Sequence, residues 1–433
     1  MLDRRLLERA AGVGVSPALP TPRTLRERAE DVVKWAAVLL GCSIPVSVAA
    51  DNILYGFILL CGIAGGGYRD KLAAVRRNPV ALAALALFAL YLVGTLYTIG
   101  SGKNVLDALT KALRLLLIVA LIPLLREPEW RARGIAAFQG SMLVTLVLSY
   151  LLWVGVLPPN GWLKGTALDP VAFKAHITHN IFMAFTAFLF AQSALQAKTR
   201  RGRLAFATLC AAAAANVLLM VPGRTGIVVL LVLFTYFLCR ALRARGLAFA
   251  GVALAALAII VIVSPDSMLH KRVILADDEF RQWRAGVPPE PTSSIGQRLE
   301  YLRNTLQIIG ENPVLGVGTG GFAKAYADRV NGTGAVATQN PHNEFLMMIV
   351  QFGLAGLVLL TGLFVTQWRL AARLPLHYDQ AAARALVLTI SVASVLSSTL
   401  VDHAEGLFFV YMSGLLFAGY AGAMRQSAEE RAR

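Results

Sequence analysis

The chain alternates between long apolar stretches and short polar segments along most of its length. A helix needs about 20 apolar residues to cross the hydrocarbon core of a bilayer, and roughly a dozen stretches approach that length. The predicted spans are 32–49, 51–67, 80–99, 103–125, 134–157, 172–197, 203–221, 223–240, 246–264, 342–367, 381–401 and 404–424. The alternating pattern that builds outer-membrane barrels is absent from the sequence. The pattern therefore predicts an all-α, polytopic integral membrane protein with about 12 transmembrane helices.

Composition supports this prediction. Of the 433 residues, 57% are hydrophobic and only 15% are charged. That is more apolar surface than the core of one soluble domain can bury, so lipid must solvate most of the chain.

The formal net charge of +16 raises the question of a nucleic-acid partner, but the basic residues are distributed by loop. Most of the lysines and arginines lie in alternate short segments and tails: 4–34, 69–77, 126–133, 198–203, 240–245, 369–384 and 425–433. Cytoplasmic loops carry such an excess, so both termini are predicted to be inside the cell. The charge thus indicates topology and contact with anionic membrane lipids, and no nucleic-acid binding.

This topology predicts five regions. They are a cytoplasmic tail (1–31), transmembrane helices 1–9 (32–264), a large outer loop (265–341), transmembrane helices 10–12 (342–424) and a second cytoplasmic tail (425–433). The first tail has no apolar core, so the first span is expected to act as the targeting signal. The four cysteines lie in or at the ends of apolar spans without metal-like spacing, and we expect neither a metal site nor another cofactor.

The outer loop is predicted to fold. Residues 295–309 form an amphipathic helix with Leu299, Leu302, Leu306 and Ile309 on one face, able to lie on the membrane or to cap the helix bundle. A glycine-rich run, 316–321, follows it and precedes a short helix near 322–329. The run lacks the lysine and hydroxyl residue that end a phosphate-binding loop, and no strand precedes it, so a tight turn between two helices is favoured.

Polar residues gather at the outer surface. Asn340 is a plausible N-cap and Pro341 a plausible first helical residue, which would place His342 in the first turn of a span, where imidazolium is disfavoured. Arg224 lies in a very short outer turn at the same depth, and Arg298 is a second cation of this surface. Two guanidiniums near a neutral histidine suit a substrate that carries phosphates and a group that must lose a proton.

Each of these residues also has a simpler interpretation. His342 can make a structural hydrogen bond at a helix start, Arg224 can reach lipid headgroups, and Arg298 can lie on a solvated helix face.

Further candidates are less distinctive. Lys103, Asp107 and Lys111 recur every four residues, which favours an intrahelical ion pair on one face. His179 opens a span at the outer side, where it can line a substrate site. Asp402 ends a span at the same surface, where it can orient His342 or an arginine, or cap the helix.

Three motifs resemble the O-antigen ligase family. They are Gly-Arg-Thr-Gly at 223–226, Gly-Gln-Arg at 296–298 with Asn-Pro-Val-Leu-Gly-Val-Gly at 312–318, and Pro-His-Asn-Glu-Phe-Leu at 341–346 with Gln-Phe-Gly-Leu-Ala-Gly at 351–356. O-antigen polymerases and protein O-oligosaccharyltransferases share these motifs in looser form.

The resemblance implies a GT-C-like membrane glycosyltransferase on the periplasmic face of the bacterial inner membrane. Its donor would be an O-antigen chain on undecaprenyl pyrophosphate, and its acceptor a sugar hydroxyl of lipid A–core. The implied catalytic residues are His342, as the base, and Arg224 and Arg298, which would hold the pyrophosphate in a metal-independent, inverting displacement. The substrate-binding candidates are Arg224, Arg298, Asn343, Asp402, His179 and Lys103. The enzyme is expected to work as a monomer.

Three alternatives remain open at this point. An O-antigen polymerase would use the same donor, although such polymerases often carry two sizeable outer loops and this chain has one. A protein O-oligosaccharyltransferase would be expected to carry an extra C-terminal domain. A transporter or flippase of lipid-linked glycans would place its polar residues near the bilayer midplane in repeated halves, a pattern that the sequence lacks.

Overall fold

The computed structural model describes residues 25–64, 66–158, 162–264, 268–287, 289–290, 293–333 and 335–432. Over these residues the chain is all-helical and contains no strand, as the sequence predicted. The helices, numbered in chain order, are α1 Leu25–Ser43, α2 Val48–Ala64, α3 Tyr68–Arg76, α4 Pro79–Val93, α5 Gly102–Ala112, α6 Leu115–Leu124, α7 Pro128–Trp153, α8 His176–Gln196, α9 Arg200–Ala215, α10 Arg224–Leu242, α11 Ala244–Val263, α12 Met268–Arg284, α13 Ser294–Glu311, α14 Phe322–Val330, α15 Glu344–Ala371, α16 His377–Leu396 and α17 His403–Ala432. Most of the predicted N-terminal tail lies outside the described residues.

Six helices of the described chain are long and apolar enough to cross a membrane. They are Pro79–Leu96, Pro128–Trp153, Arg200–Met220, Arg224–Leu242, Glu344–Ala371 and His377–Leu396. Two shorter apolar helices, Val48–Gly62 and Arg245–Ala256, fall below that length. The chain is therefore a multi-pass membrane protein, while the larger number of spans remains a prediction.

One predicted span, 103–125, is two helices. The chain leaves helical hydrogen bonding between α5 and α6, at Leu113 and Arg114. The guanidinium of Arg114 donates to the carbonyls of Val401, Asp402 and His403 at 3.3, 2.7 and 3.2 Å. Since carbonyls that precede a helix need donors in a low-dielectric environment, this arginine satisfies the backbone just before α17.

Aromatic packing joins α7, α8 and α17 at the centre of the bundle. Phe138, Phe182, Phe185 and Phe408 are fully buried, with ring centroids between 4.7 and 6.3 Å apart. Between helices in lipid the hydrophobic effect gives little driving force, so close contacts of this kind hold the bundle together.

The glycine-rich run is a tight turn, as predicted, and it docks into a break in α15. Gly353 interrupts that helix with φ 60° and ψ −148°, and the amides of Val317 and Gly318 donate to the carbonyls of Val350 and Gln351 at 2.8 and 2.9 Å. On the other side of the turn, the Thr319 hydroxyl donates to the Tyr91 carbonyl at 2.6 Å. The turn therefore satisfies backbone groups that the break exposes.

The predicted amphipathic helix is observed as α13, and part of its leucine face is exposed. Leu302 and Leu306 are exposed, whereas Glu300, Asn304 and Ile308 are buried. Asn304 donates to the Glu300 carboxylate at 3.0 Å and to the Tyr326 hydroxyl of α14 at 3.2 Å. The side of α13 toward α14 therefore contains satisfied polar groups, and the exposed leucines belong to the face that was predicted to lie on the membrane or to cap the bundle.

Candidate active site

His342 lies outside the helix that follows it. The sequence placed it in the first helical turn after Asn340 and Pro341, but α15 begins at Glu344 and the N-cap is Asn343, whose side chain accepts from the Leu346 amide at 3.0 Å. The prediction was wrong because two asparagines compete as caps, and the one whose side chain reaches the third amide of the helix prevails.

The backbone of His342 is strained. Its φ is 53°, in the left-handed region that residues with a side chain seldom occupy. Two contacts hold it there: its amide donates to the Asn340 side-chain oxygen at 2.8 Å, and its ring stacks on Tyr301 with centroids 5.7 Å apart and planes 19° apart. Strain supported in this way is typical of functional sites and aims the imidazole in a fixed direction.

Arg298 lies beside the histidine. It is three residues before Tyr301 on α13, so the two side chains share a helix face. Burial and the Arg298 guanidinium lower the pKa of His342. The predicted neutral imidazole is thus supported, but by desolvation and a neighbouring cation, and not by the end of a helix.

Arg224 is the third member of this group. Burial, together with the Arg224 guanidinium, lowers the pKa of Arg298. Like charges held close together in a partly desolvated place repel each other, and a bound anion relieves that repulsion. The structure therefore brings Arg224, Arg298 and His342 together, although they are far apart along the chain.

The turn before Arg224 is built by close packing against α8. Asn180 is buried, and its amide nitrogen donates to the carbonyls of Val221 and Gly223 at 3.2 and 3.4 Å. A Cβ at Gly226 would lie 2.3 Å from the Asn180 Cβ. Glycine is required here because the backbones meet, and the contact fixes the start of α10 and hence Arg224.

Asn343 and Asp402 have other partners. The amide of Asn343 caps α15 through its oxygen, and its nitrogen donates to the Val395 carbonyl at 3.0 Å. Burial raises the pKa of Asp402, and the cations of Lys111 and Arg114 oppose that effect. Asp402 thus belongs with α5 and α6, and its described contacts do not include His342.

His179 and Lys103 are not part of the group around His342. His179 is buried in the bundle, with its Nε2 2.9 Å from the Asn216 side-chain oxygen. Lys103 is exposed on α5, and the predicted ion pair of that helix forms between Lys111 and Asp107 at 2.7 Å. The packing explains where both residues lie. His179 faces Asn216, just after α9, and the first turn of α5, with Lys103, faces outward.

Three residues of the site were missed by the sequence analysis: Tyr301, Asn340 as a partner of His342, and Asn180. Only Tyr301 left a signal, an aromatic residue one helical turn after Arg298. Within the described chain no group of three or more histidine, cysteine or acidic side chains is placed to hold a metal ion.

The geometry defines what this site can do chemically. A neutral, oriented imidazole can accept a proton from a hydroxyl, and two guanidiniums can bind a diphosphate through charge-assisted hydrogen bonds. The combination fits a displacement in which a phosphorylated group leaves.

Residues 206–361 match the family model described as O-antigen ligase. The match includes Arg224, Arg298 and His342, and it confirms the resemblance seen in the motifs. A solved structure described as "Structural coordination of polymerization and crosslinking by a peptidoglycan synthase complex" is similar to this chain at 17% sequence identity and a TM-score of 0.45, covering 79% of this chain and 96% of that one. No curated protein matches the chain.

Proposed function

We propose that this chain is an O-antigen ligase, which transfers an O-antigen glycan from undecaprenyl pyrophosphate to a sugar hydroxyl of lipid A–core. The family match supports glycosyl transfer of the O-antigen ligase and polymerase type. The finer assignment rests on one observation: the half-buried guanidinium of Arg298 is close enough to interact electrostatically with both the Arg224 guanidinium and the His342 imidazole, and the pKa of His342 is lowered.

In the proposed reaction the acceptor oxygen attacks the anomeric carbon of the donor sugar. His342 accepts the hydroxyl proton, the bond from the anomeric carbon to the phosphate oxygen breaks, and undecaprenyl pyrophosphate leaves with inversion at that carbon. Arg224 and Arg298 bind the pyrophosphate and offset the charge that develops on it. The donor carries its own activation, so the reaction needs no other energy source.

The proposed setting follows from charge and topology. The basic segments put the group around His342 on the periplasmic side of the inner membrane. About 12 spans in a GT-C-like arrangement, with 265–341 as the outer loop, would surround the site. Because one chain supplies all three residues, a monomer is sufficient.

Reconstitution tests this assignment. Purified protein is mixed with lipid A–core, an undecaprenyl-pyrophosphate glycan and EDTA, and the products are resolved on a gel. We expect a ladder of glycan on lipid A–core. Glycan that lengthens on the polyprenyl carrier would identify a polymerase, and product that appears only after magnesium is added would contradict the metal-independent mechanism.

A transporter is tested in the same preparation. Proteoliposomes that take up labelled lipid-linked glycan by counterflow, without forming any ligated product, would favour a flippase. We expect no such uptake because the polar groups of the site gather at one rim of the bundle.

A further inference from the structure

A cleft lies near the segment that carries His342, and Gln339 and Met347 are part of its lining. Its cavity volume is about 90 Å³. Its polar lining comes from Asn104, Asp107 and Lys111 of α5, from Gln339, and from Gln351 of α15. Neither arginine of the candidate active site lines it, so it is a separate place.

The cleft carries hydrogen-bonding groups with little net charge. Asp107 and Lys111 form an ion pair at 2.7 Å, and the Asp107 carboxylate remains 60% exposed. The Arg114 guanidinium at its base is engaged by backbone carbonyls. Amides and an accessible carboxylate offer both donors and acceptors, as the hydroxyls of a sugar require.

The same surface disfavours a pyrophosphate. A phosphate there would meet the like charge of Asp107, while the two cations of the lining are already bound, Lys111 by Asp107 and Arg114 by backbone carbonyls. The two arginines near His342 provide the opposite environment. The cleft and the two arginines therefore suit different substrates of a glycosyl transfer.

One segment links the cleft to the histidine. Gln339 lines the cleft three residues before His342, and Met347 lines it shortly after. Glu344 continues this wall, because its carboxylate accepts from the amide of Leu400, another lining residue, at 2.9 Å. A molecule in the cleft would thus contact the segment that orients the imidazole.

Part of the exposed side of α5 is apolar, next to the exposed polar residues Lys103 and Thr110. Leu106 is 67% exposed, and Leu113 at the end of the helix is also exposed. In a membrane protein such a face contacts lipid. A ligand with its own acyl chains can therefore approach the cleft from the bilayer.

We propose that this cleft binds the acceptor, as the hydroxyl-bearing sugars of a lipid-anchored oligosaccharide, next to the segment that carries His342 and apart from the two arginines that would bind the pyrophosphate. This inference rests on the proposed function. It adds Asp107, Asn104 and Gln339 as binding residues for the acceptor.

Two-substrate kinetics on the reconstituted protein test the proposal. Asp107→Asn and Asn104→Ala should raise the KM for lipid A–core about tenfold, as expected for the loss of a buried ligand hydrogen bond, and leave the KM for the donor unchanged. At saturating acceptor, the variants should turn over at close to the kcat of the unaltered protein. Gln339→Ala is a third variant in case one of the others folds poorly.

The chain offers a matched control. Lys324 and Asp328 of α14 form an ion pair with the same four-residue spacing, at 2.6 Å, and they do not line the cleft. Asp328→Asn should leave both KM values unchanged. A rise in the donor KM for Asp107→Asn would mean that the cleft holds donor glycan, and unchanged KM values for all three cleft variants would show that it binds neither substrate; both results overturn the inference. Absence of any ligated product from the unaltered protein would instead refute the proposed function.

Discussion

The imidazole of His342 is partly buried against the Tyr301 ring, near the Arg298 guanidinium. Burial and the neighbouring cation lower its pKa below the ordinary value of 6.5. The base is therefore expected to be ready for catalysis at neutral pH without an acidic partner.

This environment predicts the pH dependence of the reaction. Protonated His342 cannot act as a base, so kcat/KM should fall only as the pH drops through the lowered pKa, below 6.5. Arg298→Gln removes a positive charge that disfavours imidazolium, so the acid limb of its residual activity should move to higher pH. Arg298→Lys keeps the charge and should leave the limb near its original position. Identical profiles for all three proteins would contradict the assignment of His342 as the titrating base.

The arginines should affect the donor more than the acceptor. Arg224→Ala and Arg298→Ala each remove a group that stabilises developing charge, which typically costs on the order of a hundredfold or more in rate. Arg303→Ala is a matched control on the same helix, since Arg303 is exposed and pairs with Glu300 at 2.7 Å. Rates of glycan transfer, with protein levels checked by immunoblot, measure the effect. A control that is as slow as the two variants would show that the loss comes from α13 and not from the site.

At the scale of elements, the glycine-rich turn docks into the break of α15 and so holds α13 and α14 to the bundle. A Cβ at Gly353 would lie 1.9 Å from the Val314 carbonyl oxygen, and the backbone there has φ 60°. We expect Gly353→Ala to destabilise the protein by about 2 kcal/mol or more, from overpacking and backbone strain together. Thermal unfolding in detergent should show a clearly lower Tm.

Gly362→Ala is the control for this substitution. It lies in the same helix, and nothing would lie within 4 Å of its Cβ. Its Tm should be unchanged or slightly higher, because alanine favours a helix. Equal effects of the two substitutions would mean that the break at Gly353 does not contribute to stability.

The sequence predicted the elements better than the contacts between them. Apolar length and turn residues identified α13, α14 and the turn between them, because these signals are local. The hydrogen bond between Asn304 and Glu300 on the buried side of α13, and the bonds of Arg114 to carbonyls almost 300 residues away, could not be predicted from the sequence. Contacts between distant segments produce no periodic pattern in the sequence.

The candidate site shows the same contrast between local signals, which the sequence carries, and contacts between distant segments, which only the fold reveals. Motifs identified Arg224, Arg298 and His342, and the fold brings these three together. The other candidates, His179, Lys103, Asn343 and Asp402, lie apart from this group or have other described partners. A polar residue near a helix end has the same pattern whether it binds a ligand or another helix. The stacking of Tyr301 on His342 depends on the fold of the outer helices.

At the scale of the whole molecule, the positive charges predict which side of the membrane holds the site. Single cysteines at positions 328 and 373, in a cysteine-free background, report on the two sides. In intact cells with a permeable outer membrane, a bulky impermeant maleimide should label Asp328→Cys and spare Arg373→Cys until the inner membrane is broken. The opposite pattern would invert the topology and place the arginines and His342 in the cytoplasm.

The central claim is that His342 takes the acceptor proton beside two donor-binding arginines. Its most direct test is the transfer rate of His342→Gln in the reconstituted system, together with its affinity for the undecaprenyl-pyrophosphate glycan. We expect the rate to fall by on the order of a hundredfold or more while donor affinity stays near that of the unaltered protein, because glutamine can hydrogen-bond but cannot accept the proton. Near-normal transfer by this variant, at normal protein levels, would contradict the account.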